Sequence, residues 1–112
     1  MFMIMFVLND PKKTDLVLDS WNKAGVSGTT LIESTGAFRR RMRIPGRYAY
    51  TTATKDENNT TLMAIVQDES VVTTCLEETE KVIGNLSNHD TGIFSYWPLA
   101  GVKGFPKNYS LD

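Results

Sequence analysis

The segment Gly25–Arg41, GVSGTTLIESTGAFRRR, decides how the rest of the chain is interpreted. Gly25 suits the end of a helix, because glycine adopts the left-handed conformation without a clash at Cβ. The residues from Thr29 to Ser34 alternate β-branched, apolar and polar side chains, which predicts a short strand. Gly36 is predicted to end that strand. The segment therefore indicates the end of a helix, a strand and then an exposed loop.

The basic side chains that follow this strand are the second notable feature. All the arginines of the protein lie here: Arg39, Arg40, Arg41, Arg43 and Arg47. The net charge is −1, so the rest of the chain is distinctly acidic. Because guanidinium groups suit phosphate and carboxylate recognition, we expect contact with an anion or an acidic partner, and a merely solvated loop is the alternative. Nucleic acid is not predicted as a partner, since only Tyr48 and Tyr50 could offer bases a stacking surface beside the cluster.

Length and composition indicate one ordinary globular domain over residues 1–112. Apolar residues make up 41% of the chain and charged residues 22%, which is typical of proteins with a buried core. The lone Cys75 cannot form an intramolecular disulfide, and the N-terminal apolar run is too short for a signal sequence or a membrane span. We therefore predict a cytoplasmic protein with no direct membrane insertion.

The elements follow from apolar runs, helical periodicity and turn residues. Capping residues are predicted before both helices: Asp10 before the first, and Asp68, Glu69 or Ser70 before the second. Residues 39–59 show no sustained period and contain two turn signals, Pro45-Gly46 and Asn58-Asn59, which predicts a long loop whose ends could be strand-like. The predicted order is a strand over 2–8, a helix over 11–24, a strand over 29–34, a long loop over about 37–59, a strand over 60–66, a helix reaching 86, a strand over 92–97 and an extended tail over about 98–112.

Two strand–helix–strand units in one short chain predict an α+β, ferredoxin-like β-α-β-β-α-β sandwich with its helices on one face of the sheet. The other face should then alternate with polar residues. Neither the first strand nor the run from Leu62 to Val66 alternates in this way. Both sheet faces are therefore predicted to be buried, which requires a compact homo-oligomer. Alternating Met1, Met3 and Met5 are interpreted as core or interface packing.

The quoted segment resembles the second-strand region of the P-II nitrogen-regulatory signal transduction proteins. Their pattern there is roughly G-h-x-G-x-T-h-x-E-h-x-G-x-G-R, where h is apolar. The matching positions are Gly25, Gly28, Thr30, Leu31, Glu33, Gly36 and Arg39. The runs IVQDESV at 65–71 and GIF at 92–94 extend the resemblance along essentially the whole chain, as expected for a divergent member.

The resemblance implies a homotrimer whose sheets face inward and whose function is signalling rather than catalysis. P-II-like proteins bind small effectors, typically adenine nucleotides, in three clefts between subunits. The effector reshapes a long loop, the T-loop, which docks on a transporter, enzyme or regulator. For this chain the resemblance implies an unidentified target protein contacted through residues 39–59.

The resemblance also assigns site residues, each at a matching position. Thr30 would contact a nucleobase and Val66 the base or ribose, while Lys103 stands where the family has a phosphate-binding arginine. The loop base would be Gly36, Ala37, Phe38, Arg39 and Arg40, and the turn before the fourth strand (the B-loop) would contribute Thr91 and Gly92. The family's B-loop lysine is absent here, and Phe105 replaces a second arginine. This favours a less charged ligand than ATP: AMP, ADP, a cyclic nucleotide or a small oxyanion.

Two other functions remain as alternatives. An enzyme could act on a small anionic substrate held by the arginines, but one His and one Cys leave no nucleophile–base pair, so no catalytic residues are predicted. His89 has no partner ligand in sequence, so no metal site is predicted. A protein-binding trimer without any small effector is the second alternative.

Overall fold

The computed structural model describes the backbone of residues 1–43, 50–88 and 91–104, and the side chains of 1–36, 58–88 and 91–104. Its elements are β1 (Phe2–Leu8), a 3₁₀ turn (Pro11–Lys13), α1 (Thr14–Lys23), β2 (Thr30–Arg43), β3 (Tyr50–Val66), α2 (Glu69–Ile83) and β4 (Gly92–Pro98). The sheet order is β2-β3-β1-β4, and every neighbouring pair is antiparallel. This confirms the predicted ferredoxin-like fold.

Both predicted capping residues act as caps: Asp10 caps the 3₁₀ turn that leads into α1, and Asp68 caps α2. The Asp10 carboxylate accepts the Lys12 backbone N–H at 3.1 Å, and the Asp68 carboxylate accepts the Val71 N–H at 3.3 Å. The Ser70 hydroxyl and the Val71 N–H lower the pKa of Asp68, so this cap weakens as the pH falls through that lowered pKa. Gly25, with φ +87°, follows α1 as expected for a residue that ends a helix.

The core lies between the helices and one face of the sheet. It is formed by Ile4, Phe6 and Leu8 of β1, Leu62, Ala64 and Val66 of β3, Val17 and Trp21 of α1, Val26, and Val72 and Cys75 of α2. Burial raises the pKa of the Cys75 thiol to about 12, so the thiol stays protonated at neutral pH. Cys75 is therefore a core residue, as the helical period indicated.

A buried hydrogen bond joins the two helices. The Trp21 indole N–H donates to the Thr79 hydroxyl at 2.9 Å, and that hydroxyl donates to the Cys75 carbonyl at 2.7 Å. Trp21 and Thr79 are both fully buried. Because no water reaches the indole N–H, Thr79 is the group that satisfies it.

Replacing Thr79 with valine should therefore lower the free energy of unfolding by about 2 kcal/mol, since the volume is kept and a buried donor is left unpaired. Urea unfolding measures the loss. Thr73→Val is the matched control, because Thr73 lies exposed on the same helix and its hydroxyl bonds only its own helix backbone. Equal losses in the two variants would contradict the assigned role of the interhelical bond.

The strands extend much further into the segment 37–59 than the strand-like ends that the sequence suggested for its long loop. β2 continues through Gly36, which pairs with Glu57, as far as Arg43, and β3 begins at Tyr50. Asn58-Asn59 lies within β3 rather than in a turn, while Pro45-Gly46 lies outside the described residues. The physical reason is that a two-stranded ladder is held by backbone hydrogen bonds, which need no apolar period.

The sheet face away from the helices is mostly apolar. We call it the open face; its members on the four-stranded part of the sheet are Met3, Met5, Val7, Thr30, Ile32, Thr61, Met63, Ile65, Ile93, Ser95 and Trp97. Its central residues are half-buried, whereas Ile93 is 67% exposed. At its centre, β1 and β3 place apolar side chains opposite each other, for example Met5 opposite Met63, whereas Ser95 lies beside Met5 on β4 and Thr30 lies beside Met63 on β2. The centre of the sheet therefore carries apolar residues on both faces, as the sequence predicts.

Candidate functional site

A cavity of about 300 Å³ opens where the beginning of β2 and the end of β3 meet the chain beyond β4. We call it the tail cavity. Its lining residues are Met3, Ser27, Gly28, Thr30, Met63, Ala64, Ile65, Val102, Lys103 and Gly104. The structure thus brings together Thr30 and Lys103, two predicted site residues that are 73 positions apart in the chain.

Backbone geometry on both sides shapes this cavity. Gly28, with φ +72°, turns the chain into β2 and leaves Thr30 exposed at the start of the strand. On the other side, the Leu99 N–H donates to the Met1 carbonyl at 2.9 Å, after β4 has ended. This bond fixes the chain at the end of the sheet, from which Val102 and Lys103 reach the cavity.

The cavity is apolar with a polar rim. Met3, Met63 and Ile65 belong to the open face and form its floor, while Ser27 and Thr30 contribute hydroxyls. Among the described lining residues, Lys103 carries the only formal charge. Thioethers make favourable contacts with aromatic rings. Such a surface suits a flat, largely apolar ring system that carries an anionic group at its edge.

Other predicted site residues lie at the opposite end of the sheet. Thr30 pairs with Met63, whereas Gly92 pairs with Leu8. Met3, in the tail cavity, and Leu8 are five residues apart on β1, which corresponds to about 17 Å. Gly36 lies on β2 beyond the position level with Leu8. One chain therefore does not bring the two groups of residues together.

Local contacts account for Thr91 and Gly92 without a ligand. The Thr91 carbonyl accepts the Asn9 N–H at 3.3 Å. A Cβ atom on Gly92 would lie 2.5 Å from the Val7 carbonyl oxygen and 2.8 Å from the Phe6 ring. Gly92 is thus required by the close approach of β4 to β1, whatever else it does.

For the remaining predicted site residues, the structure shows no side chain at a cavity. The Val66 side chain is buried in the core, so only its backbone could face a ligand. The backbone of Ala37, Phe38, Arg39 and Arg40 belongs to β2, and their side chains lie outside the described part of the chain.

Sequence reasoning missed the apolar floor of the cavity. The sequence pattern indicates only packing for Met3, and it does not mark Met63 or Ile65 as site residues. The alternation of methionines was the available signal, but it does not distinguish an interface from a ligand surface. Within residues 1–43, 50–88 and 91–104, no group of three or more His, Cys, Asp or Glu side chains could hold a metal ion.

Comparison with known proteins gives a match of structure rather than of sequence. No family model and no curated protein matches the chain. GlnK of B. subtilis, a P-II protein, superposes with a TM-score of 0.68 at 13% identity, over 88% of this chain and 84% of that one. The chain has the P-II fold. A complex of the same GlnK with ATP matches with a TM-score of 0.70, the same identity and the same coverage.

The P-II fold confirms the resemblance noted in the sequence at the level of architecture. In the described part of the chain, no helix is long and apolar enough to cross a bilayer.

Proposed function

We propose that this protein is a P-II-like regulator: a homotrimer that binds a small anionic effector between its subunits and contacts a target protein through the β2–β3 hairpin. The observation that carries the proposal is the tail cavity, where Thr30 and Lys103 meet on an apolar floor. The structural match to a GlnK–ATP complex supports an adenine nucleotide as the effector.

The division of the site residues supports subunit clefts. Thr30 and Lys103 lie at one end of the sheet, and Gly36 and Gly92 at the other. A cleft that uses both groups needs two chains, each contributing one end. This is the arrangement that the family resemblance implies, and the separation of the two groups along the strands supports it.

The open face supports self-association. Met5 and Met63 sit opposite each other at its centre, and Ile93 and Trp97 extend it to the edge strand. A second and third copy of the same face would cover these apolar side chains and remove them from water. The free Cys75 suits the reducing cytoplasm, where we place the protein.

The hairpin supplies the proposed contact with a target. Arg39, Arg40, Arg41 and Arg43 all belong to β2, where the ladder with β3 continues beyond the four-stranded part of the sheet. A projecting strand with this composition suits an acidic surface on a target protein. The effector would act by favouring one hairpin state through differential contacts.

Thermal-shift measurement of the whole chain tests the effector. AMP, ADP, ATP, cyclic AMP, GMP and sulfate are added at increasing concentration. An effector at about 100 times its Kd should add about 2.7 kcal/mol of stability, which raises Tm by about 5 °C or more. Thr30→Phe should abolish the shift by filling the cavity.

Thr73→Phe is the matched control, because it adds the same ring on the exposed side of α2, a helix that does not line the cavity. It should leave the shift unchanged. Absence of a shift with every compound would reject the effector. In that case, capture of a target protein by the wild type but not by an Arg39/Arg40/Arg41→Ala variant would favour a purely protein-binding trimer.

A further inference from the structure

We infer that the target protein contributes an extended acidic segment, which adds as a further strand to the outer edge of β2. The inference rests on the proposed contact between the β2–β3 hairpin and a target, because it states how that contact is made. It is drawn from the position of β2 in the sheet, the length over which β2 projects and the charge of its residues.

β2 is an edge strand. The sheet order is β2-β3-β1-β4, so β3 pairs with one side of β2, and no strand within residues 1–43, 50–88 and 91–104 pairs with the other side. Every second residue of such a strand points its backbone N–H and C=O groups away from the sheet. An extended segment can pair with these groups, which is a recurrent mode of peptide recognition.

The outer part of β2 lies beyond the four-stranded part of the sheet. β1 ends at Leu8, which is level with Glu33 of β2, whereas the ladder between β2 and β3 continues to Arg43. The segment from Ser34 to Arg43 is therefore about 30 Å long, which is enough for an added strand of ordinary length. The self-association proposed for the open face uses the four-stranded part and does not require this edge.

The projecting edge is strongly basic, because four of the five residues from 39 to 43 are arginines. Directly across the ladder, β3 places only uncharged residues beside these arginines: Tyr50, Thr52, Ala53 and Thr54. Asp56 is diagonal to Arg39 in this register, and Arg41 has no acidic residue at either diagonal position. Opposite charges on adjacent strands stabilise their pairing, so an incoming strand with acidic residues is favoured.

The charge pattern disfavours a second copy of this chain as the incoming strand. Two β2 strands side by side would bring arginine next to arginine, which opposes pairing. Of the other described strands, β1 and β4 contain no acidic residue, and β3 contains only Asp56 and Glu57, which already lie in the ladder with β2. The acidic strand therefore belongs to another protein.

Binding of a fluorescein-labelled peptide to the full chain, measured by anisotropy, tests the inference. In antiparallel register the peptide Thr-Glu-Val-Glu-Glu-Glu-Val-Thr places glutamate beside each arginine of β2 and valine beside Phe38 and Met42. N-methylation of its backbone should weaken binding at least about tenfold at unchanged charge, because strand pairing uses the backbone N–H groups. Replacing its glutamates with glutamine should weaken binding by at least the same factor.

Two measurements on the protein locate the bound strand. Arg41→Ser should weaken the acidic peptide about threefold, the effect of one cross-strand ion pair, whereas Lys23→Ser, which removes a positive charge from the exposed end of α1, should change nothing. In the complex, alternate backbone N–H groups between residues 37 and 43 should exchange at least about tenfold more slowly. Those of β4, the other edge strand, should exchange as before.

The inference and the proposed function fail in different ways. Strand addition is overturned if the N-methylated peptide binds as tightly as its parent, if no peptide binds, or if exchange along β2 is unchanged in the complex. Each of these results leaves intact a contact between the hairpin and a folded acidic surface. Equal binding of the glutamate and glutamine peptides, unaffected by Arg41→Ser, rejects the acidic target of the proposed function itself.

Discussion

Replacing Met5 with glutamate is expected to dissociate the proposed trimer into monomers. Met5 lies at the centre of the open face, between Met63 on β3 and Ser95 on β4. A carboxylate there has no cationic neighbour among the described members of the open face, all of which are uncharged. Burying such a charge costs several kcal/mol per subunit, enough to shift association by about a thousandfold or more.

Leu16→Glu is the control for this experiment. Leu16 is apolar and 51% exposed, but it lies on α1, on the helical side of the molecule. Sedimentation velocity at micromolar concentration should give trimers for the wild type and Leu16→Glu, and monomers for Met5→Glu. Trimers that persist in Met5→Glu would show that the open face is not the interface.

Replacing Gly92 with alanine is expected to lower the free energy of unfolding by about 3 kcal/mol, the upper part of the range for overpacking. The new Cβ would lie 2.5 Å from the Val7 carbonyl oxygen. That oxygen belongs to β1, which pairs with β3 on one side and β4 on the other, so it cannot move without disturbing both ladders. The φ of +157° at Gly92 adds backbone strain.

Gly101→Ala provides the comparison, because nothing lies within 4 Å of a Cβ at that position. Guanidinium unfolding should show a large loss for Gly92→Ala and a change near zero for Gly101→Ala. If Gly92 served only a ligand, its alanine variant would unfold like the wild type and lose binding alone.

Sequence alone was sufficient for the architecture because the signals were local and agreed with one another. Asp10 caps the 3₁₀ turn before α1 and Asp68 caps α2, and Gly25 takes the left-handed conformation that its position required. The unbroken apolar run of the first strand correctly indicated apolar residues on both faces of β1. Each of these features depends on a few neighbouring residues.

The site was harder to predict because its parts meet only in the folded chain. Thr30 and Lys103 were named through family resemblance, and their meeting depends on how the tail crosses the end of the sheet. Val66 illustrates the limit: its place in the sequence suggested a ligand contact, but strand parity turns its side chain into the core. For Gly92, no sequence pattern separates a steric requirement from a binding role.

The extended pairing of β2 with β3 was not predicted for a different reason. The outer part of β2 and β3 pairs beyond the end of β1, so no core imposes an apolar period on it. Thr51, Thr52 and Thr54 favour extended backbone, but they do so without alternation. The side-chain pattern of this segment therefore predicts only a loop.

The continuity of β2 has a mechanical consequence. A single strand runs from Thr30, at the tail cavity, to Arg43, without the break first expected at Gly36. Thirteen residues at the rise of an extended strand separate the two ends of β2 by about 43 Å. A tilt of about 5° at the cavity end would displace the far end by about 4 Å over that length, whereas a flexible loop would absorb the same tilt within a few residues. The hairpin can thus amplify small motions.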